Sequence, residues 1–196
     1  MDLKKILLGL ENLKVKGNLD IDIKGIENNS KEVKTGYMFI AIKGFETDGH
    51  NYINDAIDAG CTAVMIQEGC DLSKINVKND VTVIMAKDTR EALAICSSNF
   101  YDNPSRKFKL IGVTGTKGKT TTTFMIKELL EKAGKKVGLI GTIATYINGK
   151  KIKESDRTTP ESLELQKTFF QMAKEKVEYV VMEVSSQSLK LHRVDG

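Results

Sequence analysis

Cysteine, histidine and long apolar runs are all scarce in this sequence, and each shortage removes a class of protein. Three cysteines (Cys61, Cys70, Cys96) and two histidines (His50, His192) lie too far apart for a Cys-x-x-Cys pair or a zinc cluster. The cysteines therefore read as reduced thiols. No uncharged apolar run approaches the length of a membrane helix, and the apolar patch after Lys4-Lys5 is stopped by Glu11, well short of a signal-peptide core. The expectation is a cytoplasmic protein without a membrane partner. The 30 basic residues against 26 acidic ones give a formal charge of +4. The lysines are scattered in pairs such as Lys135-Lys136 and Lys150-Lys151, with no basic block interleaved with aromatics, so no nucleic-acid partner is expected. Internal repeats and low-complexity tracts are missing too.

What is present is 40% apolar sequence in a chain long for one compact domain and comfortable for two. The pattern over 1–100 predicts strands at 21–26, 37–42, 62–66 and 81–86, with helices at 52–59, stopped by Gly60, and 89–100. The polar stretch Tyr101-Asp102-Asn103-Pro104-Ser105-Arg106 marks a boundary, giving domains at 1–102 and 103–196. The second part reads as strand 108–113, helix 118–132 closed by Gly134, and strand 137–141: a βαβ unit with a parallel sheet. Phe124, Ile126, Leu129 and Leu130 form the expected buried stripe of its helix. A hairpin follows at Asn148-Gly149, then a helix with Thr159 as N-cap and Pro160 as first residue. The fold class is α/β in both parts. About three core strands are expected in the second, too few to bury both faces of a sheet, so that part reads as a truncated domain and the chain as a fragment.

The stretch "KLIGVTGTKGKTTTTFMIKELL", 109–130, carries the chemistry. An apolar strand feeds a turn holding Gly112, Gly115 and Gly118, and a helical pattern follows. Glycines let successive N–H groups converge on one point, the helix N-terminus adds partial positive charge and Lys119 a full one, so the natural guest is a polyphosphate. The commonest phosphate loop, G-x-x-x-x-G-K-[ST], is missed by one position, because Val113 stands five before Gly118 and Gly112 lies one place too early. The ending Gly118-Lys119-Thr120 still offers a lysine for β- and γ-phosphate oxygens and a hydroxyl for Mg²⁺. The strand at 179–182 delivers Glu183 to its C-terminal end, the side of an open parallel sheet where ligands bind. A carboxylate there is placed to hold the metal of a bound nucleotide.

Three motifs in order, "GVTGTKGKTTT" (112–122), "TTP" (158–160) and "MEVSSQSLKLHRV" (182–194), resemble the central domain of the Mur ligases, the ATP-dependent amide-forming enzymes of peptidoglycan synthesis. That family shares the shifted glycine. The stretch 28–60, "NNSKEVKTGYMFIAIKGFETDGHNYINDAIDAG", is similar to the UDP-sugar-binding domain of the members that add the third amino acid. Departures include Lys117 for the usual Asn of the loop, Gln187 for a usual His, and Asn29-Ser30-Lys31 for Asp-Ser-Arg.

The resemblance implies a monomeric ligase with ATP and Mg²⁺ as cofactors, joining UDP-MurNAc-L-Ala-D-Glu to a diamino acid, meso-diaminopimelate or L-lysine, through an acyl phosphate. It assigns ATP to Gly115, Thr116, Lys117, Gly118, Lys119, Thr120 and Thr121, and the catalytic work to Lys119, Thr120 and Glu183, the last two also as metal ligands. Ser30, Phe45, Glu46 and Thr47 would hold the uridine end of the substrate, and Thr158, Thr159, Ser185 and Arg193 the muramoyl-peptide. A ligase adding the fourth residue, a folylpolyglutamate-type ligase, a nucleotide-dependent switch ATPase and a non-catalytic UDP-sugar-binding fragment are the alternatives. A switch gives no reason for the second and third motifs.

Overall fold

A computed structural model describes residues 1–45, 47–71, 73, 75–76 and 80–196. The chain divides into two compact units, Met1–Phe100 and Tyr101–Gly196.

The first unit runs α1 (Leu3–Ile6), β1 (Lys14–Lys16), β2 (Gly25–Glu27), β3 (Tyr37–Ile40), α2 (Ile53–Asp58), β4 (Ala63–Gln67), β5 (Thr82–Ala86) and α3 (Thr89–Phe100). Its sheet has the order β1-β5-β4-β3-β2, parallel from β2 to β5 with β1 antiparallel at one edge. Burial on both faces explains why β3, β4 and β5 are nearly unbroken apolar runs rather than alternating ones. Phe39, Val64, Ile66 and Val83 pack with Ile53 and Ile57 of α2. Each such side chain contributes about 1.5–3 kcal/mol by leaving water. The strand expected at 21–26 is only the short β2. Upstream of it the chain is held by the terminus instead, with the Ile23 N–H donating to Met1 O at 2.8 Å.

The second unit runs β6 (Lys109–Val113), α4 (Lys119–Lys132), β7 (Val137–Ile140), β8 (Ala144–Ile147), β9 (Lys150–Glu154), α5 (Ser162–Lys174), β10 (Tyr179–Glu183) and α6 (Ser186–Lys190). Its sheet has the order β6-β10-β7-β8-β9. The three expected core strands are therefore extended to five by the β8–β9 hairpin, which turns on Asn148 (φ +49°) and Gly149 (φ +79°). The sequence reading takes β6-α4-β7 as one βαβ unit; in the fold β10 lies between the two strands, parallel to both.

Two further expectations are corrected. Of the expected stripe of α4, Leu129 is 68% exposed and Phe124, Ile126 and Leu130 are only half-buried, whereas Thr123 and Lys127 are buried. Lys127 is accommodated because its ammonium pairs with Glu131 at 2.8 Å and lies over the Tyr146 ring at 5.7 Å. The helix after the "TTP" motif starts at Ser162 with Glu161 as N-cap, two residues later than expected. Thr159 cannot cap it, because its hydroxyl is bonded elsewhere.

Candidate functional site: a nucleotide loop facing a buried carboxylate

The glycine-rich turn leaves β6 and enters α4 through two residues in the left-handed region, Gly115 (φ +152°) and Gly118 (φ +79°). A Cβ at Gly118 would meet nothing within 4 Å, so the backbone angle rather than crowding calls for glycine there. Gly118 is the N-cap of α4 and provides no side-chain cap, so the N–H groups of the first turn have no side-chain partner from the cap. Thr116 and Lys117 lie exposed along the turn, and Thr121 is exposed in the first turn of α4. Lys119 Nζ donates to Gly115 O at 2.9 Å and curls over its own loop. This is the form an anion-binding turn takes when backbone amides and one lysine supply the charge.

Parallel pairing brings the second component to the same place. Glu183 closes β10 in register with Val113 at the end of β6, so it stands beside the start of the loop. It is 1% exposed, yet its carboxylate accepts three hydrogen bonds: from Thr120 Oγ1 (3.0 Å to Oε2), Thr142 N (2.9 Å to Oε1) and Thr142 Oγ1 (3.1 Å to Oε2). Such donors satisfy the oxygens of a carboxylate in a buried position. Gly141 permits this approach, since a Cβ there would collide with Glu183 Oε1.

Thr142 and Gly141 escape the sequence reading. The available signal is their place directly after β7, the other parallel neighbour of β10; the strand order that makes this place significant is not visible in the sequence.

A hydroxyl and a carboxylate oxygen 3.0 Å apart are hard donors of the kind Mg²⁺ takes. Among the described residues no group of three or more His, Cys, Asp or Glu could hold a metal by itself, so the remaining positions would fall to water or phosphate oxygens. The donor set fits a nucleotide-bound magnesium better than a structural metal.

Of the peptide-site candidates, Thr158 reaches the same carboxylate through Thr142, and Thr159 holds the backbone of Glu183. Thr158 Oγ1 is 3.0 Å from Thr142 Oγ1. Thr159, 1% exposed, donates to Glu183 O (2.9 Å) and accepts from Ser185 N (3.2 Å), pinning the end of β10 to the segment before α5. Ser185 caps α6, accepting from Ser188 N at 3.2 Å. Arg193 is 9% exposed and pairs with Glu161 at 2.8 Å, an oxygen that also takes Arg157 at 2.8 Å. The structure thus gathers Lys119, Thr120, Thr158, Thr159, Glu183, Ser185 and Arg193 in one unit, with Thr159 and Arg193 already engaged by protein groups.

In the first unit, Ser30 and Thr47 border one cleft of about 440 Å³, shared with Asn28, Phe39, Gly44 and Tyr52. Ser30 opens a single 3₁₀ turn whose N-cap, Asn29, accepts from Lys31 N at 3.2 Å. Phe45 is 76% exposed on the adjoining turn, with the Arg90 guanidinium 6.0 Å from its ring centroid. Glu46 lies outside the described residues. Beside the cleft, Asp48 accepts from the His50 backbone (3.0 Å) and ring (2.6 Å). Partial burial pushes its carboxyl up, but these hydrogen bonds outweigh it and hold the carboxyl below its ordinary value. No helix among the described residues is long and apolar enough to cross a membrane.

A glycine-rich loop between a parallel strand and a helix, with a carboxylate ending the adjacent strand, is the arrangement of the phosphate-loop fold class. Comparison with known proteins narrows the class. Residues 22–101 match the model of the Mur ligase family, catalytic domain, and residues 113–196 match the Mur ligase middle domain. The chain belongs to the Mur ligase family. It is similar along its whole length to UDP-N-acetylmuramoyl-L-alanyl-D-glutamate–2,6-diaminopimelate ligases, with 55% identity to that of Clostridium botulinum and 50% to that of Clostridium tetani. It spans about 40% of the length of these relatives. A solved ligase of the same name shares the fold, with a TM-score of 0.75 at 22% identity, over all of this chain and 38% of that one. MurF ligase from Thermotoga maritima, solved in complex with ADP, aligns with 82% of the chain and 32% of its own length, at a TM-score of 0.52 and 25% identity.

Proposed function

We propose that this chain is the substrate- and nucleotide-binding part of a ligase that uses ATP to join 2,6-diaminopimelate to UDP-N-acetylmuramoyl-L-alanyl-D-glutamate in the cytoplasm, acting as a monomer. The observation that carries the reading is the Thr120–Glu183 pair at the mouth of the glycine loop, in a chain 55% identical over its whole length to a ligase of that name. The ADP-bound relative supports a nucleotide as the loop's guest.

In this reading the amides of 115–121 and Lys119 hold and neutralise the phosphates, while Thr120 and Glu183 would hold Mg²⁺. The magnesium would supply charge neutralisation on the phosphate oxygens. Lys119 exchanges its bond to Gly115 O for phosphate oxygens, placing a full positive charge where negative charge develops as the γ-phosphoryl group passes to the substrate carboxylate. Thr158 and Ser185, with Arg193 on exchanging its bond to Glu161, would orient that carboxylate. Positioning supplies most of the remaining rate. Ser30 and Thr47, lining the first unit's cleft, and Phe45 on the adjoining turn serve the uridine end.

The test is product identity. The full-length protein with ATP, the UDP-dipeptide and either diaminopimelate or lysine should yield a mass increase for diaminopimelate. Addition of lysine in preference, or of neither, would reject the reading.

A further inference from the structure

We infer that Thr142 is a positioning residue that fixes the Glu183 carboxylate and links it by hydrogen bonds to Thr158, so that the metal-holding and peptide-holding sides of the site form one chain of hydroxyls. The inference rests on the ligase reading above and extends it to a residue outside the family-like motifs of the sequence.

The direction of the chain follows from counting hydrogens. An ionised carboxylate only accepts, and a hydroxyl has a single hydrogen. Thr142 Oγ1 lies 3.1 Å from Glu183 Oε2 and 3.0 Å from Thr158 Oγ1. Its hydrogen therefore goes to Glu183, and Thr158 donates to Thr142. Thr120, on the other flank, gives its hydrogen to the same oxygen at 3.0 Å, which keeps the lone pairs of Thr120 Oγ1 free for a cation. The Thr142 backbone N–H fixes the second oxygen at 2.9 Å, so this one residue holds both ends of the carboxylate.

Two consequences follow. The lone pairs of Thr158, its hydrogen committed, face outward as acceptors for an N–H of the bound substrate. A substrate seated on Thr158 also stabilises the orientation of Glu183, so peptide and metal binding favour one another. Thr142 itself is exposed, so its hydroxyl serves the carboxylate rather than the core.

The experiment measures phosphate release by the full-length protein against Mg²⁺ concentration, with ATP and diaminopimelate present and the UDP-dipeptide at low and at saturating concentration, for wild type, Thr142→Val, Thr142→Ser and Lys119→Ala. Thr142→Val keeps shape and removes the hydroxyl. It should raise the Mg²⁺ needed for half-maximal rate by about tenfold, as loss of a partner that orients a metal ligand does, and should abolish the drop in that requirement caused by the UDP-dipeptide. Thr142→Ser should restore both within about twofold of wild type, as expected where one hydroxyl carries the effect. Melting temperatures should match throughout. An unchanged Mg²⁺ profile in Thr142→Val, or a Thr142→Ser as impaired as Thr142→Val, would overturn the inference while leaving the ligase reading intact. Normal turnover by Lys119→Ala, or no turnover by wild type, would overturn the ligase reading and this inference with it.

Discussion

Glu183 is the residue on which the site depends, because it is buried, accepts three hydrogen bonds and stands at the mouth of the loop. Replacing it by Gln keeps the shape but substitutes a neutral amide, a poorer ligand for a hard cation. Glu183→Gln in the full-length protein should need about tenfold more Mg²⁺ or better for half-maximal phosphate release, with the affinity for the UDP-dipeptide changed much less. Titrating both ligands separates the effects, and an unaltered Mg²⁺ requirement would assign the carboxylate a purely structural role. The loop and Glu183 are legible in the sequence because strand-end chemistry is local: glycines, a lysine and an acid at the ends of apolar runs. Thr142 is not legible, since its meaning comes from a strand 41 residues away in the chain.

At the scale of elements, the segment before α5 and the end of β10 are pinned together by one buried hydroxyl. Thr159→Val would leave Glu183 O and Ser185 N without that partner. Each unsatisfied buried group costs about 1–3 kcal/mol. Thr159→Val should therefore unfold at lower denaturant concentration, and Thr159→Ser should stay near wild type; equal stability of the valine variant would show that the bridge is not needed. The sequence reading makes Thr159 a helix cap because Thr-Pro is a strong local start signal, and tertiary hydrogen bonding overrides it. Periodicity misplaces the α4 stripe for a related reason. Periodicity counts Leu129 as apolar and Lys127 as polar, but Lys127 can be buried once Glu131 and Tyr146 satisfy its ammonium. Strand existence was largely legible from apolar runs and bounding glycines. Strand order was not, because no local pattern places β10 between β6 and β7.

At the scale of the molecule, two α/β units each carry a five-stranded sheet, one with a cleft bordered by Ser30 and Thr47, the other with the loop and Glu183. A ligase needs both kinds of site, whereas a nucleotide switch needs only the second. The measurement that separates them is phosphate release from ATP by the full-length protein when substrates are added singly and together. The account predicts release only when the UDP-dipeptide and diaminopimelate are both present, in a one-to-one ratio with the amide product. Steady release from ATP alone, indifferent to both substrates, would contradict it.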